Sequence, residues 1–393
     1  MQSEKSSSAA GEGNENAVIE RYARGAQARE AALCCPISYD PKLLRVIPAE
    51  IIERDYGCGD PSQFVRPGDT VLDLGSGSGK IAYIAAQIAG RTGRVIGVDF
   101  NPAMLSLARK YQTEVAAKIG FANVEFRRGK IQDLALDLDA LERALAERPV
   151  KSVEDLQWLA QTCEQLRQQS PLIESGSIDL VLSNCVLNLV NESEKQQLFS
   201  EIFRVTRIGG RVAISDIVSD ESIPDALKAD ADLWSGCVSG AFQEEAFLAA
   251  FEEAGFRGIE LVKRDEKPWR VINGIEFRAV TVLAHKVQQG PSLDRNQAVI
   301  YRGPFKQVID DEGTVFERGV RQAVSDKTFE LFQSAYAQHV YPVPPHQDIP
   351  ATEALPFESP HGARRDPRQS KGMDYRESTD AGSCCEPGCC DPA

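Results

Sequence analysis

Val71-Leu72-Asp73-Leu74-Gly75-Ser76-Gly77-Ser78-Gly79-Lys80 decides how this 393-residue chain folds. Val71, Leu72 and Leu74 predict a short buried strand, and Ile81, Ile84, Ala85 and Ile88 fall on one face of a helix from about residue 80. Between them Gly75, Gly77 and Gly79 remove side chains where a ligand would need the backbone. A glycine turn that feeds a helix N-terminus presents unpaired N–H groups, so a carboxylate or phosphate is the expected visitor. The spacing is G-x-G-x-G. A dinucleotide-binding loop would instead place its third glycine at Lys80.

Working outward, Val95-Ile96-Gly97-Val98-Asp99 reads as a second strand that ends in a carboxylate. Glu125-Phe126-Arg127-Arg128-Gly129 reads as a third and leads to Gln132-Asp133. A G-x-G-x-G loop after a strand with Asp73 near its end is the pattern of methyltransferases that bind S-adenosylmethionine. In that pattern Asp99 accepts from the ribose hydroxyls and Asp133 holds the adenine amino group. The plainer readings are a solvated strand end for Asp99 and a helix cap for Asp133; the three signals together favour the cofactor. Further strands near 178–183, 210–217, 257–264 and 277–285, with helices between, predict an α/β fold. It is Rossmann-like, with a seven-stranded, mainly parallel sheet and right-handed crossovers.

Length and composition frame this domain. Residues 1–15 are Ser-, Gly- and Glu-rich and predict disorder; 16–287 form the methyltransferase unit, in which 134–174 is a helical insertion carrying Cys163 as a small core residue. A small α+β appendage is expected over 291–342, followed by a disordered Cys-rich tail over 343–393. The formal charge of −14 argues against a nucleic-acid partner, and no apolar run reaches membrane-spanning length or forms a leader core. A cytoplasmic enzyme is the expectation. Structural disulfides are rare in that compartment, so ten cysteines there favour metal, metalloid or redox chemistry.

Cys58 lies between glycines just upstream of the loop, Cys185 follows the fourth strand, and Cys237 ends a predicted helix. Each taken singly is most often a buried apolar side chain. Topology, however, carries Cys185 to the carboxyl edge of the sheet with Cys58 close by, where thiolates would suit a soft centre. The words Asp55-Tyr56-Gly57-Cys58-Gly59, Ser183-Asn184-Cys185-Val186-Leu187-Asn188 and Trp234-Ser235-Gly236-Cys237-Val238-Ser239-Gly240 resemble those of the arsenite S-adenosylmethionine methyltransferases. The likeness spans roughly residues 30–285. It implies that Cys58, Cys185 and Cys237 bind trivalent arsenic, and that Cys34 or Cys35 joins a disulfide relay. It also implies cofactor contacts from Tyr56, Asp73, Gly75, Ser76, Gly77, Gly79, Asp99, Phe100, Ile131, Gln132, Asp133 and Asn184. An external dithiol system, thioredoxin or glutathione, is the implied reductant.

Two readings compete. A methyltransferase for an ordinary organic substrate would need a His or carboxylate beside the methyl, and the chain's four histidines lie far in sequence from the cofactor motifs. A non-catalytic protein that sequesters soft metalloids would have no use for an intact glycine loop with Asp73 and Asp99.

Overall fold

The computed structural model describes residues 15–30, 37–334, 336–358 and 362–378. The Cys34-Cys35 pair, the tail cysteines Cys384, Cys385, Cys389 and Cys390, and residues 1–14 lie outside them. The chain divides into two compact units, Met1–Val287 and Gln288–Ala393.

The first unit is built on one sheet. Its strands are β1 (Thr70–Leu74), β2 (Arg94–Asp99), β3 (Val124–Arg128), β4 (Ile178–Asn184), β5 (Thr206–Ser219), β6 (Phe242–Gln243), β7 (Arg257–Arg264), β8 (Arg270–Ile272) and β9 (Ile275–His285). The main path runs β3-β2-β1-β4-β5-β9-β7, with β6 on β5 and β8 on β9. All pairs from β3 to β5 are parallel, and β9 is antiparallel to both β5 and β7. The seven expected strands are these seven; two short ones were added by pairing at the edges.

Alternate residues explain the layers. Val71, Val95, Leu180, Leu182 and Ala213 point into one apolar cluster, while Leu72, Ile96, Val181, Val212 and Ile214 point into the other. A sheet apolar on both faces must be covered on both. Helix Lys80–Ala89 and Leu105 of the next helix cover the first face. Helices Lys195–Val205 and Glu244–Glu253 cover the second through Phe199, Ile202, Phe247 and Phe251. Each such fully buried side chain contributes about 1.5–3 kcal/mol relative to exposure.

The insertion is helical as expected, over Leu138–Glu147 and Val153–Gln169. Neither helix buries a residue fully, so Cys163 is half-exposed rather than a core side chain. Only the insertion's flanks, Leu134, Leu172 and Ile173, reach the core. Among the described residues no helix is long and apolar enough to cross a membrane.

The second unit has strands β10 (Leu293–Asp294), β11 (Ala298–Tyr301), β12 (Gln307–Ile309), β13 (Val315–Glu317), β14 (Arg321–Ala323), β15 (Val340–Val343) and β16 (Leu355–Pro356), with helix Asp326–Ser334. β12 and β13 form a hairpin, its turn held by Asp310, which accepts from the Glu312 and Thr314 N–H groups. The expected disorder from residue 343 is corrected for 343–358 and 362–378. There β16 pairs with β10, and the buried Arg365 donates to Asp294 at 2.6 Å and to the Gln297 carbonyl. Polar composition concealed this, because the segment is held by ionic and backbone bonds rather than by an apolar stripe.

Deleting residues 345–393 therefore removes β16 and the partner of Asp294. Loss of the β10–β16 pairing together with the Arg365 anchor weakens a unit this small. The truncated chain should be cleaved rapidly between residues 288 and 344 in limited proteolysis, whereas a chain ending at 378 should resist. Equal resistance of the two would contradict the second unit's boundaries.

Candidate active site

Where β1, β2 and β4 end, the chain leaves a cavity of about 1020 Å³. Gly75, Ser76, Gly77, Asp73, Asp99, Phe100, Ile131, Gln132, Tyr56 and Asn184 all line it. Asp99 accepts from the Gly77 N–H at 2.9 Å and the Asn101 N–H at 2.8 Å, which locks the glycine loop against the end of β2. Gly77 sits at φ 51°, and a Cβ built there meets no protein atom nearer than 3.9 Å. The space beside it is the cavity itself. Gly79 caps the following helix and does not line the cavity.

Asp73 is 2% exposed, and its Oδ2 has no hydrogen-bond partner among the described residues. Burial first, then the Asp55 and Asp99 carboxylates, pushes its pKa well above the usual range. A buried carboxylate with one unsatisfied oxygen on a glycine-loop cavity is matched by a cation, and the ammonium and sulfonium groups of S-adenosylmethionine are of that kind. The residues present fit that cofactor. Beneath the loop Lys80 and Asp55 form a buried ion pair, and the Lys80 ammonium stands 4.1 Å from the Tyr39 ring centre.

Two expected cofactor contacts are placed differently. Asp133 faces away from the cavity: Arg167 of the insertion donates to its Oδ2 from Nε at 3.1 Å and from Nη2 at 2.9 Å. Its neighbour Gln132 lines the cavity instead and donates to Glu194. Asn184 borders the cavity, but its carboxamide is committed elsewhere. Oδ1 accepts from the Cys58 and Gly59 N–H groups at 2.9 and 3.1 Å, and Nδ2 donates to the Gly59 carbonyl at 2.8 Å. A Cβ at Gly57 would collide with that amide, and one at Gly59 with Ser215. The glycines around Cys58 thus let the turn lie flat on the ends of β4 and β5.

The three sulfurs meet on the same edge. Cys185 follows β4 at φ 64° and Cys237 follows helix Ala231–Ser235 at φ 60°, both left-handed conformations that cost a non-glycine residue roughly 1–2 kcal/mol. The Cys185 sulfur lies within 4.8 Å of the Cys58 sulfur. The Cys237 thiol donates to the Cys185 carbonyl at 3.2 Å and stands 3.6 Å from the Tyr22 hydroxyl. Its hydrogen bond with Cys185, and then burial, push the Cys237 thiol up. For Cys185 the hydrogen bond from Cys237 favours the thiolate, but the bond to Cys58, burial and the nearby charges outweigh it. Cys58 and Cys237 are buried, and Cys185 is partly exposed. A second pocket of about 250 Å³ opens on the thiols between Tyr22, Tyr56 and Trp269. Cys185, Tyr22 and Tyr56 line both cavities, so they form the wall through which one reactant meets the other.

Two features were missed from sequence. Helix 15–25 closes the site: Arg21 donates to the Asp232 carbonyl and Ser235, Asn101 donates to the Ile19 carbonyl, and Glu15 pairs with Lys130. Asp216 on β5 was not singled out at all. It is fully buried, with a carboxylate oxygen within 4.8 Å of the Cys58 and Cys185 sulfurs. A lone charge among Ile214, Ile217 and Val218 was the available signal.

Asp73 yields a prediction. A cationic ligand favours its ionised form, so binding should release a proton, and affinity should fall as the pH is lowered through the raised pKa. Asp73→Asn should weaken S-adenosylmethionine binding about 10- to 100-fold, the worth of one charged hydrogen bond. Calorimetry in two buffers of different ionisation heat checks both; equal affinity and equal proton release in the variant would refute the assignment.

Comparison with known proteins bears on the family. A methyltransferase-domain family model matches residues 66–140 and 137–255, and a domain of unknown function matches 288–375. An arsenite methyltransferase of Halobacterium salinarum is 39% identical over 53% of this chain and 43% of its own length. One of Aquipseudomonas alcaligenes is 32% identical over 70% of this chain and 72% of its own. The solved arsenic(III) S-adenosylmethionine methyltransferase of Chlamydomonas reinhardtii superposes with a TM-score of 0.55 at 26% identity, covering 82% of this chain and all of that one. With a glycine-loop cavity whose buried carboxylate calls for a cation, and Cys185 on its wall with Cys58 and Cys237 close by, the chain belongs to the arsenite methyltransferase family of S-adenosylmethionine-dependent enzymes.

Proposed function

We propose that the chain methylates trivalent arsenic held by Cys58, Cys185 and Cys237. The observation that carries this reading is the position of Cys185, whose sulfur lies within 4.8 Å of the Cys58 sulfur, whose carbonyl accepts the Cys237 thiol at 3.2 Å, and which lines the cofactor cavity as well. Arsenous acid exchanges its three hydroxyls for three thiols; each hydroxyl leaves as water with the thiol's proton, so no general base is needed. Thiols kept protonated by burial suit that exchange. Soft sulfur ligands also select arsenic over hard cations.

Bound S-adenosylmethionine supplies a methyl carbon on a sulfonium sulfur. The chain's share is to hold that end of the cofactor with Asp73 and the Gly75–Gly77 loop, and to hold arsenic by its three sulfurs with the lone pair free. Orientation of two reactants in this way is worth roughly 7–11 kcal/mol at best. As the As–C bond forms, the C–S bond of the sulfonium breaks and its electron pair stays on sulfur, so S-adenosylhomocysteine leaves as a neutral thioether and arsenic rises to the pentavalent state. Two of the coordinating sulfurs can return the electron pair by leaving as a disulfide while a water, giving up a proton, takes a vacated position, which gives methylated trivalent arsenic. An external dithiol such as thioredoxin then restores both thiols and is itself oxidised, with Cys34 or Cys35 as the relay to it.

The reading for an organic substrate would draw on Asp216, whose oxygens already accept backbone N–H groups, and it finds no histidine among the described residues of the site. His285 is the first unit's one histidine, and it lies at the start of the β5–β9 pairing opposite Arg211, at the far end of β5 from Asp216.

Speciation of arsenic after incubation of the protein with arsenite, S-adenosylmethionine and a dithiol tests the proposal. Cys185→Ser or Cys237→Ser should lower conversion of both arsenite and methylarsenite at least 100-fold, since a hydroxyl is a poor ligand for arsenic. Cys58→Ser should lose arsenite methylation first, because methylarsenite already fills one position with carbon and needs only two thiols. Parental rates in Cys237→Ser would sink the assignment.

A further inference from the structure

Asp216 is fully buried, and a carboxylate without partners would be costly there. Its partners are backbone. Oδ2 accepts the Leu187 N–H at 2.9 Å, Oδ1 accepts the N–H of Ile217 at 2.8 Å, and the Asn188 N–H also points to it. Leu187 and Asn188 begin the turn that follows Cys185. On the other side of that cysteine, the Cys185 N–H donates to the Ser215 carbonyl at 2.8 Å. Cys185 is therefore held from both sides by consecutive residues of β5 while its own backbone takes a left-handed conformation. Asn188 extends the clamp, because its side chain donates to the Ile217 carbonyl at 2.7 Å and to the Cys237 carbonyl at 3.3 Å.

We propose that Asp216 is a positioning residue: by accepting the N–H groups after Cys185, it sets that sulfur between Cys58 and Cys237 before arsenic arrives. Its closeness to the Cys58 and Cys185 sulfurs could suggest a ligand instead. Both oxygens already accept backbone bonds, however, and trivalent arsenic prefers sulfur to a hard carboxylate. The alternative to a clamp is a turn that orders only when arsenic binds, and that ordering would subtract from affinity. The inference rests on the arsenic reading above, and its test separates the two.

Asp216→Asn keeps the shape but places an amide donor against the Leu187 or the Ile217 N–H. Arsenite is added to the parent and the variant, free thiols are alkylated, and protection is read at Cys58, Cys185 and Cys237 by peptide mass spectrometry. The parent should protect all three. The variant should leave Cys185 alkylated and bind arsenite at least tenfold more weakly, with S-adenosylmethionine affinity within twofold of the parent. Full protection at parental affinity in the variant overturns the positioning role. So does a parallel loss of cofactor affinity, which would mark Asp216 as merely structural. Failure of the parent to protect three thiols would instead overturn the arsenic reading. Should the variant not fold, hydrogen exchange on the arsenic-free parent decides: residues 185–188 should be protected, and fast exchange there contradicts the clamp.

Discussion

The parallel pairing of β1 with β4, Leu74 opposite Ser183, is the constraint on which the site depends. Strand order reverses at this pair, and in open α/β sheets the crevice beyond such a point is where ligands bind. One residue past Leu74 the chain enters the glycine loop. Two residues past Ser183 it reaches Cys185. A one-residue slip between the strands would turn the alternate apolar residues of β4 from one buried face to the other, so the core itself fixes this register. The cofactor cavity and the sulfurs are thus neighbours because two hydrophobic layers need them to be.

The same constraint explains why so many polar groups are buried at one edge. Asn184 spends its carboxamide on the Cys58 turn, Asp99 spends its carboxylate on the glycine loop, and Asp216 spends its own on the turn after Cys185. These bonds substitute for water at strand ends that a solvated sheet would leave hydrated. Asp73 stands apart from them, with an oxygen that no described residue satisfies. Local strain at Cys185 and Cys237 belongs to the same pattern, since sparsely populated backbone states persist only where surrounding structure over-determines them.

Much of this was legible from the residues. Period-two apolar strands, glycine spacing and helix stripes are local signals, and they located all seven strands of the main path and both helices of the insertion. Topology carried Cys185 to one edge with Cys58 close by, because loops at strand ends have few places to go, while Cys237 joined them through the family resemblance. What failed depended on partners distant in sequence. Asp133 looks like a cofactor contact until Arg167, thirty-four residues on, takes its carboxylate. The segment after 343 lacks an apolar stripe and is secured by Arg365 reaching back to Asp294. Asp216 hid because its role lies in the backbone of another strand's loop. Polar bonds of this kind leave little periodicity to read.

The account's central claim is that three protein sulfurs, and no oxygen, surround trivalent arsenic at the edge of the cofactor cavity. Arsenic K-edge X-ray absorption tests it most directly, on a chain in which Cys34, Cys35, Cys163 and the four tail cysteines are serine. With one equivalent of arsenite the first shell should contain three sulfur neighbours, and it should fall to two in Cys185→Ser. A shell of two sulfurs and an oxygen in the parent, or an unchanged shell in that variant, would contradict the account.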